Sequence, residues 1–552
     1  MRYACHFLLL LLFALPAAAQ TDPSLVGTCA TGTAEAYLDV NNVRARLVNT
    51  GVLFYRGSPD VYEVPKGTGL KVIFSDALWI GGMVDNELRV AAATYGPYDF
   101  WPGPISDPGQ PPTDCARYDH IWSVDRSIDI SNFEDGEYPT PVELNWPADL
   151  GAPYQDVDGL PGYNPRAGEK PSILGDQMHW WVMNDAGNEK TRTDSKPLGI
   201  EVRVSAFGFD SIPDLENVTF YQYKVINRNT VPIRDIWMGK YQDVDLGAAF
   251  DDYIGSDSTL SLVFAYNADN DDDGQYGAAP PAIGVSTIQA SHSKKSLPSD
   301  RDSDNGDFMT NAMVSYKNGS YGDPSSAEGY YFFLQSKWKI GQPLTLGGRG
   351  FDPPSTANPI TKYAFSGDPA SQSFWSENNI DNQGTSQAPA DRRMISSFGP
   401  FDLDPDESVT FTYAYIWARG SSNLNSVTKL KELARRIHTA KESILQPSFG
   451  GFEKFVDGNP PERPQQSFWL DPVYPNPSSG SATVKYSLSL DGNTEIAVFD
   501  VLSREVVTLH TGLQTAGPHE ASFDTSNFPP GVYTIRLQSN RNSTSRLLTV
   551  VR

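Results

Sequence analysis

Apolar and polar residues alternate with a period of two through much of this chain, which is the signature of half-buried β-strands. Val43-Arg44-Ala45-Arg46-Leu47-Val48 follows it, and Val218-Thr219-Phe220-Tyr221-Gln222-Tyr223-Lys224-Val225-Ile226-Asn227 follows it with aromatic and β-branched residues. Short apolar runs between Gly, Pro and Asn breaks predict further strands at Gly51–Tyr55, Leu70–Phe74, Gly199–Phe207, Leu260–Tyr266, Tyr330–Leu334 and Val409–Trp417. Leu78–Gly82 and Leu88–Ala93 read as a hairpin, whereas Phe100 to about Asp176 carries too many prolines for central strands.

One segment changes period. From Ser426, residues Val427, Leu430, Leu433, Ile437 and Ile444 recur near every 3.6 positions, predicting a helix capped by Asn425 or Ser426. Lys431, Arg435, Lys441 and Glu442 are expected on its solvated face. Gly450-Gly451, Pro460-Pro461 and Pro464 then mark a linker over 446–469. The fold expected is mainly β: antiparallel sandwiches in two or more lobes over 20–445, one helix toward the C-terminal side, and a separable module over 470–552.

Composition fits this class. Glycine (46), proline (42), tyrosine (26) and phenylalanine (27) are abundant, and charged residues make up only 20%. The 67 acidic residues outnumber 43 basic ones, a net charge of −24 that makes nucleic acid and anionic membrane poor partners. Residues 1–19 read as a secretory signal: Arg2, an apolar stretch from Phe7 to Leu15, and Pro16-Ala17-Ala18-Ala19 before a cut at Gln20. No later segment is apolar enough to span a bilayer as a helix. Beyond the signal stand Cys29 and Cys115, which in an oxidising compartment are expected to pair, the alternative being two buried thiols.

The last eighty-odd residues carry a distinct series of motifs. Tyr474-Pro475-Asn476-Pro477 is followed by Val484–Leu488, Ile496–Val506, Gly517-Pro518-His519, Gly531–Leu537 and the end Arg546-Leu547-Leu548-Thr549-Val550-Val551-Arg552. Their order resembles the type A C-terminal sorting domain of type IX secretion in Bacteroidetes-like bacteria. The resemblance implies a small Ig-like sandwich, the type IX machinery as partner, and a secreted or outer-cell-surface location.

Three acidic loops carry metal-like spacing. Asp269, Asp271 and Asp273 alternate ahead of Gly274, a spacing that in a curved loop aims oxygens at one hard cation such as calcium. Asp300, Asp302 and Asp304 repeat it with Gly306 one place late, and Asp156 and Asp158 precede Gly159. Pro280 stands where an EF-hand would place its bidentate glutamate, and solvated acidic turns are the alternative for all three. Asp156–Gly159, Tyr163-Asn164-Pro165, Trp180–Asp185, Asp243–Gly247, Asp251–Gly255 and Ala279–Gly284 resemble, in this order, a group of large exported proteins that look like sorting-domain cargo. That likeness spans most of 35–440 and implies export and architecture without a reaction. The group's first loop is closer to Asp-x-Asn/Asp-Gly-Asp-Gly; here Leu160-Pro161 replaces an acid and a glycine.

Asp243, Asp245, Asp251 and Asp252 form a fourth acidic group, whose paired carboxylates could hydrolyse glycosides, hold a cation or face water. The chain has no His-Glu-x-x-His, Gly-x-Ser-x-Gly or Gly-x-x-x-x-Gly-Lys motif. His179 beside Trp180-Trp181 reads as a packed residue, and most tryptophans as core, although flat indole faces can also stack on sugars. These patterns favour a calcium-stabilised structural or adhesive surface protein, with extracellular glycans or surface components as partners. A polysaccharide-degrading enzyme is the alternative.

Overall fold

The computed structural model describes residues 26–551 except 58–61, 97–98, 109, 111–113, 131–138, 158, 211, 294–310, 448–468, 471–472, 474–475, 489–491, 502–503 and 540–541. The signal segment and nearly all of the expected linker lie outside the described residues. The chain divides into two units, 1–452 and 453–552.

Two large antiparallel sheets build the first unit. One has nine strands in the spatial order Asp252–Asp257, Leu262–Asn267, Ala282–His292, Ser408–Ala418, Val218–Asn227, Ile200–Gly208, Gln177–Asn184 and Trp101–Pro102, with Trp122–Asp125 also on Gln177–Asn184. The other has six: Asn311–Ser315, Arg393–Leu403, Ile233–Val244, Ile73–Val84 and Val52–Leu53, with Glu87–Ala92 also on Ile73–Val84. The sequence suggests two or more lobes here. Instead, both sheets bury their inner faces in one core that includes Leu78, Ile80, Val202, Val204, Tyr221, Met238 and Tyr415. Contacts cross between them, with Tyr415 donating to Asp76 Oδ2 at 2.5 Å and the Phe54 ring 5.9 Å from that of Tyr415.

The helix runs over Asn423–Ile444, three residues longer at its start than its apolar stripe predicts. Ser422 caps it, its side chain accepting from Asn425 N, because Ser421-Ser422-Asn423 offers a cap a turn ahead of the Val427 stripe. Val427, Leu430, Ala434 and Ile437 are buried, and the helix rests on the nine-stranded sheet where a Cβ at Gly284 would meet Leu430 Cδ2 at 3.1 Å. Lys431 is not solvated as its position off the stripe suggests. Its Nζ lies over the Phe264 ring, 5.2 Å from the centroid, and reaches Asp257 Oδ2 at 3.4 Å.

Tyr330–Leu334, expected as a strand, belongs to a second helix, Ala327–Leu334. Ser326 caps it from Gly329 N, and Glu328 sits in the first turn. Five apolar residues have no decisive period, so the cap decides. Gln177–Asn184 forms a strand at the end of the proline-rich stretch, and its partners there are the short strands that prolines permit at a sheet edge. Cys29 and Cys115 form a disulfide packed on Trp101, their Cα atoms 5.5 Å apart.

The second unit has seven described strands in two antiparallel sheets. Trp469–Leu470, Ser481–Leu488 and Gly517–Asp524 form one; Glu505–Gln514, Gly492–Phe499, Gly531–Ser539 and Asn542–Val550 form the other. Val484, Tyr486, Ile496, Val498, Ile535, Leu537 and Leu548 share its core.

Candidate functional site

Several acidic residues of the first unit meet at one end of the six-stranded sheet. Asp243, one residue before the end of the 233–244 strand, lies opposite Arg393 on one neighbour and Ser75 on the other. Arg393 in turn lies opposite Ser315. This register places Arg393 Nη2 3.1 Å from Asp243 Oδ2 and 3.1 Å from the Tyr95 hydroxyl. Tyr95 and Tyr241 hydroxyls are 3.0 Å apart, and Tyr241 donates to Asp323 Oδ2 at 3.3 Å. Asp391 contacts Arg393 Nη1 through one oxygen and Lys317 Nζ at 2.5 Å through the other.

Among the described residues, Asp243, Asp245 and Asp391 are the carboxylates that bring three donor oxygens within 4.8 Å of one another. Burial raises Asp243 to about 7; Arg393 opposes the shift and Asp245 adds to it. The same burial lifts the Tyr95 and Tyr241 hydroxyls far above their ordinary range. For Arg393, burial favours the neutral form, but Asp243 and the two tyrosines outweigh it and hold the guanidinium charged. Chemically this arrangement can hold a cation or exchange a proton.

A second acidic group adjoins it. Asp252 is buried, accepts from Leu246 N at 3.1 Å through Oδ2, and titrates well above the usual carboxylate range. Burial is the chief cause, with the charges of Asp251, Asp245 and Asp272 adding to it. Asp272 accepts from Ala248 N at 2.8 Å and also from Tyr276 N. Gly247, at φ +79°, lets the two loops meet, since a Cβ there would lie 2.1 Å from Asp272 Oδ2.

The metal-like loops fare differently. Asp269, Asp271 and Asp273 are exposed, Asp269 Oδ1 accepts from Asp271 N at 2.9 Å, and the three do not form such a group of oxygens. The buried acid of that loop is Asp272, between the expected ligands. Asp156 is exposed and closes its own turn, accepting from Gly159 N at 2.6 Å. Asp158, Asp300, Asp302 and Asp304 lie outside the described residues. Of the acids singled out from sequence, Asp243 and Asp245 come together; Arg393 joins them through strand pairing, and Asp391 and Tyr95 from segments flanking strands, placements that local spacing cannot reveal. His179 is packed, with Nδ1 2.8 Å from Ser123 Oγ.

In the second unit, residues 472–551 match the family of secretion system C-terminal sorting domains. This segment is a type IX sorting domain. The match begins two residues inside the boundary expected from sequence, and the sorting domain marks the protein for export, to be secreted or attached at the cell surface. No curated protein sequence matches the chain. Among solved structures, it is similar to a polysaccharide lyase at 8% identity and a TM-score of 0.22, over 94% of this chain and 46% of that one. It is similar to dimeric latent PorU from Porphyromonas gingivalis at 12% identity and a TM-score of 0.14, over 68% of this chain and 31% of that one. The chain thus spans under half the length of either, and overlap this low carries no argument about the first unit's chemistry. Among the described residues, no helix is long and apolar enough to cross a membrane.

Proposed function

We propose that the sorting domain delivers a structural or adhesive surface protein whose acidic loops bind calcium and whose partners are extracellular glycans or other surface components. The observation that carries this reading is how the first unit uses its charged groups. Lys240 with Asp76, Lys190 with Asp185, Arg392 with Glu377 and Arg393 with Asp243 are pairs enclosed in the fold. Trp79, Trp180, Trp181, Trp338 and Trp375 are likewise fully buried. The surplus acids are left to loops, where calcium would supply ordering that the core does not. Melting the purified protein with calcium and with chelator tests this: a lower midpoint in chelator is expected, and an unchanged one removes calcium from the reading. Retention on immobilised extracellular polysaccharides tests the adhesive half.

A second reading rests on Asp243. A buried carboxyl titrating near 7 beside Asp245 suits a general acid in polysaccharide cleavage. A polysaccharide screen repeated with Asp243→Asn and Asp245→Asn decides it, since turnover abolished by these changes would favour the enzyme.

A further inference from the structure

We infer that Asp243, Asp245 and Asp391 form a specific site for one hard divalent cation, calcium in an exported protein, distinct from the 269–274 loop. This deepens the calcium reading above and rests on it. Three observations lead to the site. The donor oxygens lie within 4.8 Å of one another, a spacing that one ion bridges at ordinary calcium–oxygen distances of about 2.3–2.6 Å. Asp243 is 3% exposed and its Oδ1 has no hydrogen-bond partner, an arrangement that is costly for a carboxylate unless something charged meets that oxygen. The adjoining Asp252, 1% exposed, also has an unpartnered Oδ1.

Charge points the same way. Asp243, Asp323 and Asp391 make ion pairs with the same two cations, Arg393 and Lys317, so three acids face two bases there. Arg393 binds through Asp243 Oδ2, which leaves Oδ1 for the ion. The ligands come from three places: the end of the 233–244 strand, the loop after it and the segment leading into the 393–403 strand. An ion there ties that loop and that segment to adjacent strands of one sheet, which is a structural role.

The test uses the full-length mature protein and terbium as the probe, excited through the tyrosines, because Tyr95 and Tyr241 border the site. The exposed-loop variant Asp269→Asn/Asp271→Asn/Asp273→Asn should keep tyrosine-sensitised emission that calcium displaces. Adding Asp245→Asn should weaken terbium binding at least tenfold. If the exposed-loop variant neither binds terbium competitively with calcium nor binds calcium by calorimetry, the site is overturned. If adding Asp245→Asn leaves its affinity unchanged in a variant with native circular dichroism, the site is also overturned, while calcium-dependent melting of the wild type can still stand. Should Asp245→Asn fail to fold, Asp391→Asn in the same background is read by the same criterion. Conversely, wild type that binds at this site yet melts identically with and without chelator would retain the site and remove the stabilising role.

Discussion

The two units are both antiparallel sheets around apolar cores, yet they place charge in opposite ways. The first unit seals Lys240 with Asp76 and Lys190 with Asp185 at 0% side-chain exposure. In the sorting domain the Lys485–Glu520 pair is 63% and 55% exposed, and Arg504 is 73% exposed beside Asp500. Exposed apolar side chains occur in both units and are denser in the sorting domain. Val501, Val506, Leu513, Val532, Leu547 and Val551 of the sorting domain are exposed, while its core is built from aliphatic residues and a few tyrosines. A broad two-sheet interior can hold ion pairs away from water, at the risk of a large loss when one partner is removed. The sorting domain's smaller core is apolar, so its stability rests on burial of alternate residues. Single charges should therefore be decisive in one unit and dispensable in the other.

The largest effect expected comes from the disulfide, which lies wholly in the first unit. Cys29 and Cys115 are 86 residues apart, and closing such a loop is worth about 4–5 kcal/mol by chain entropy. Cys29→Ser/Cys115→Ser should lower the first unit's denaturation midpoint and leave the sorting domain's transition in place. If both transitions shift together, the units are not independent and the comparison fails.

Removing one buried charge should cost nearly as much. Lys240 Nζ touches Asp76 and donates to the Tyr223 hydroxyl at 2.8 Å, over the Tyr223 ring. Burial lowers its tendency to stay charged, and Asp76 opposes that. Lys240→Ala leaves Asp76 enclosed without its cation and should destabilise by about 3–5 kcal/mol in urea titrations. Lys240→Met/Asp76→Leu should recover most of the loss. A mild single variant would mean that the pair contributes little to specifying the core.

What the chain alone conveys follows the range of the interactions. The Val218–Asn227 strand, the amphipathic stripe from Val427 to Ile437 and the sorting-domain motifs are local patterns, and each lies where its periodicity or motif order puts it. Tyr330–Leu334 reads as a strand because five apolar residues show no decisive period, and the Ser326 cap makes the segment helical. The acidic site was half readable: Asp243 and Asp245 are neighbours in sequence, whereas Arg393 arrives through pairing across about 150 positions and Asp391 from the segment leading into that strand. Lys431 misled because a position off an apolar stripe predicts solvent, while a long stem and a nearby acid allowed burial.

A smaller, pH-dependent effect sharpens the contrast. Burial depresses His179 from 6.5 to about 4, with Asp39 opposing. The unfolded chain binds this proton below about pH 6.5 and the folded chain does not, so the stability it contributes is intact above 6.5 and is lost as pH falls toward 4. The full swing is about 3 kcal/mol. His179→Asn can keep a group facing Ser123 but removes this titration, so its stability should fall less than that of wild type between pH 6.5 and 4. Equal slopes would mean that His179 is not the group responsible.

The smallest effect belongs to the sorting domain. Lys485 lies directly across from Glu520 on neighbouring strands, with Nζ and Oε2 3.9 Å apart and both side chains more than half exposed. Water screens such a pair, and holding two long side chains together offsets much of its attraction. Lys485→Ala should therefore shift the sorting-domain transition by less than about 0.5 kcal/mol. On the same strand, Val484 and Tyr486 point to the opposite face and are buried, so Val484→Ala should cost several times more. Denaturant titration of both variants in the full-length protein reads this difference directly. A Lys485 effect as large as that of Val484 would show that the sorting domain also depends on its charges, and the opposition between the two units would no longer hold.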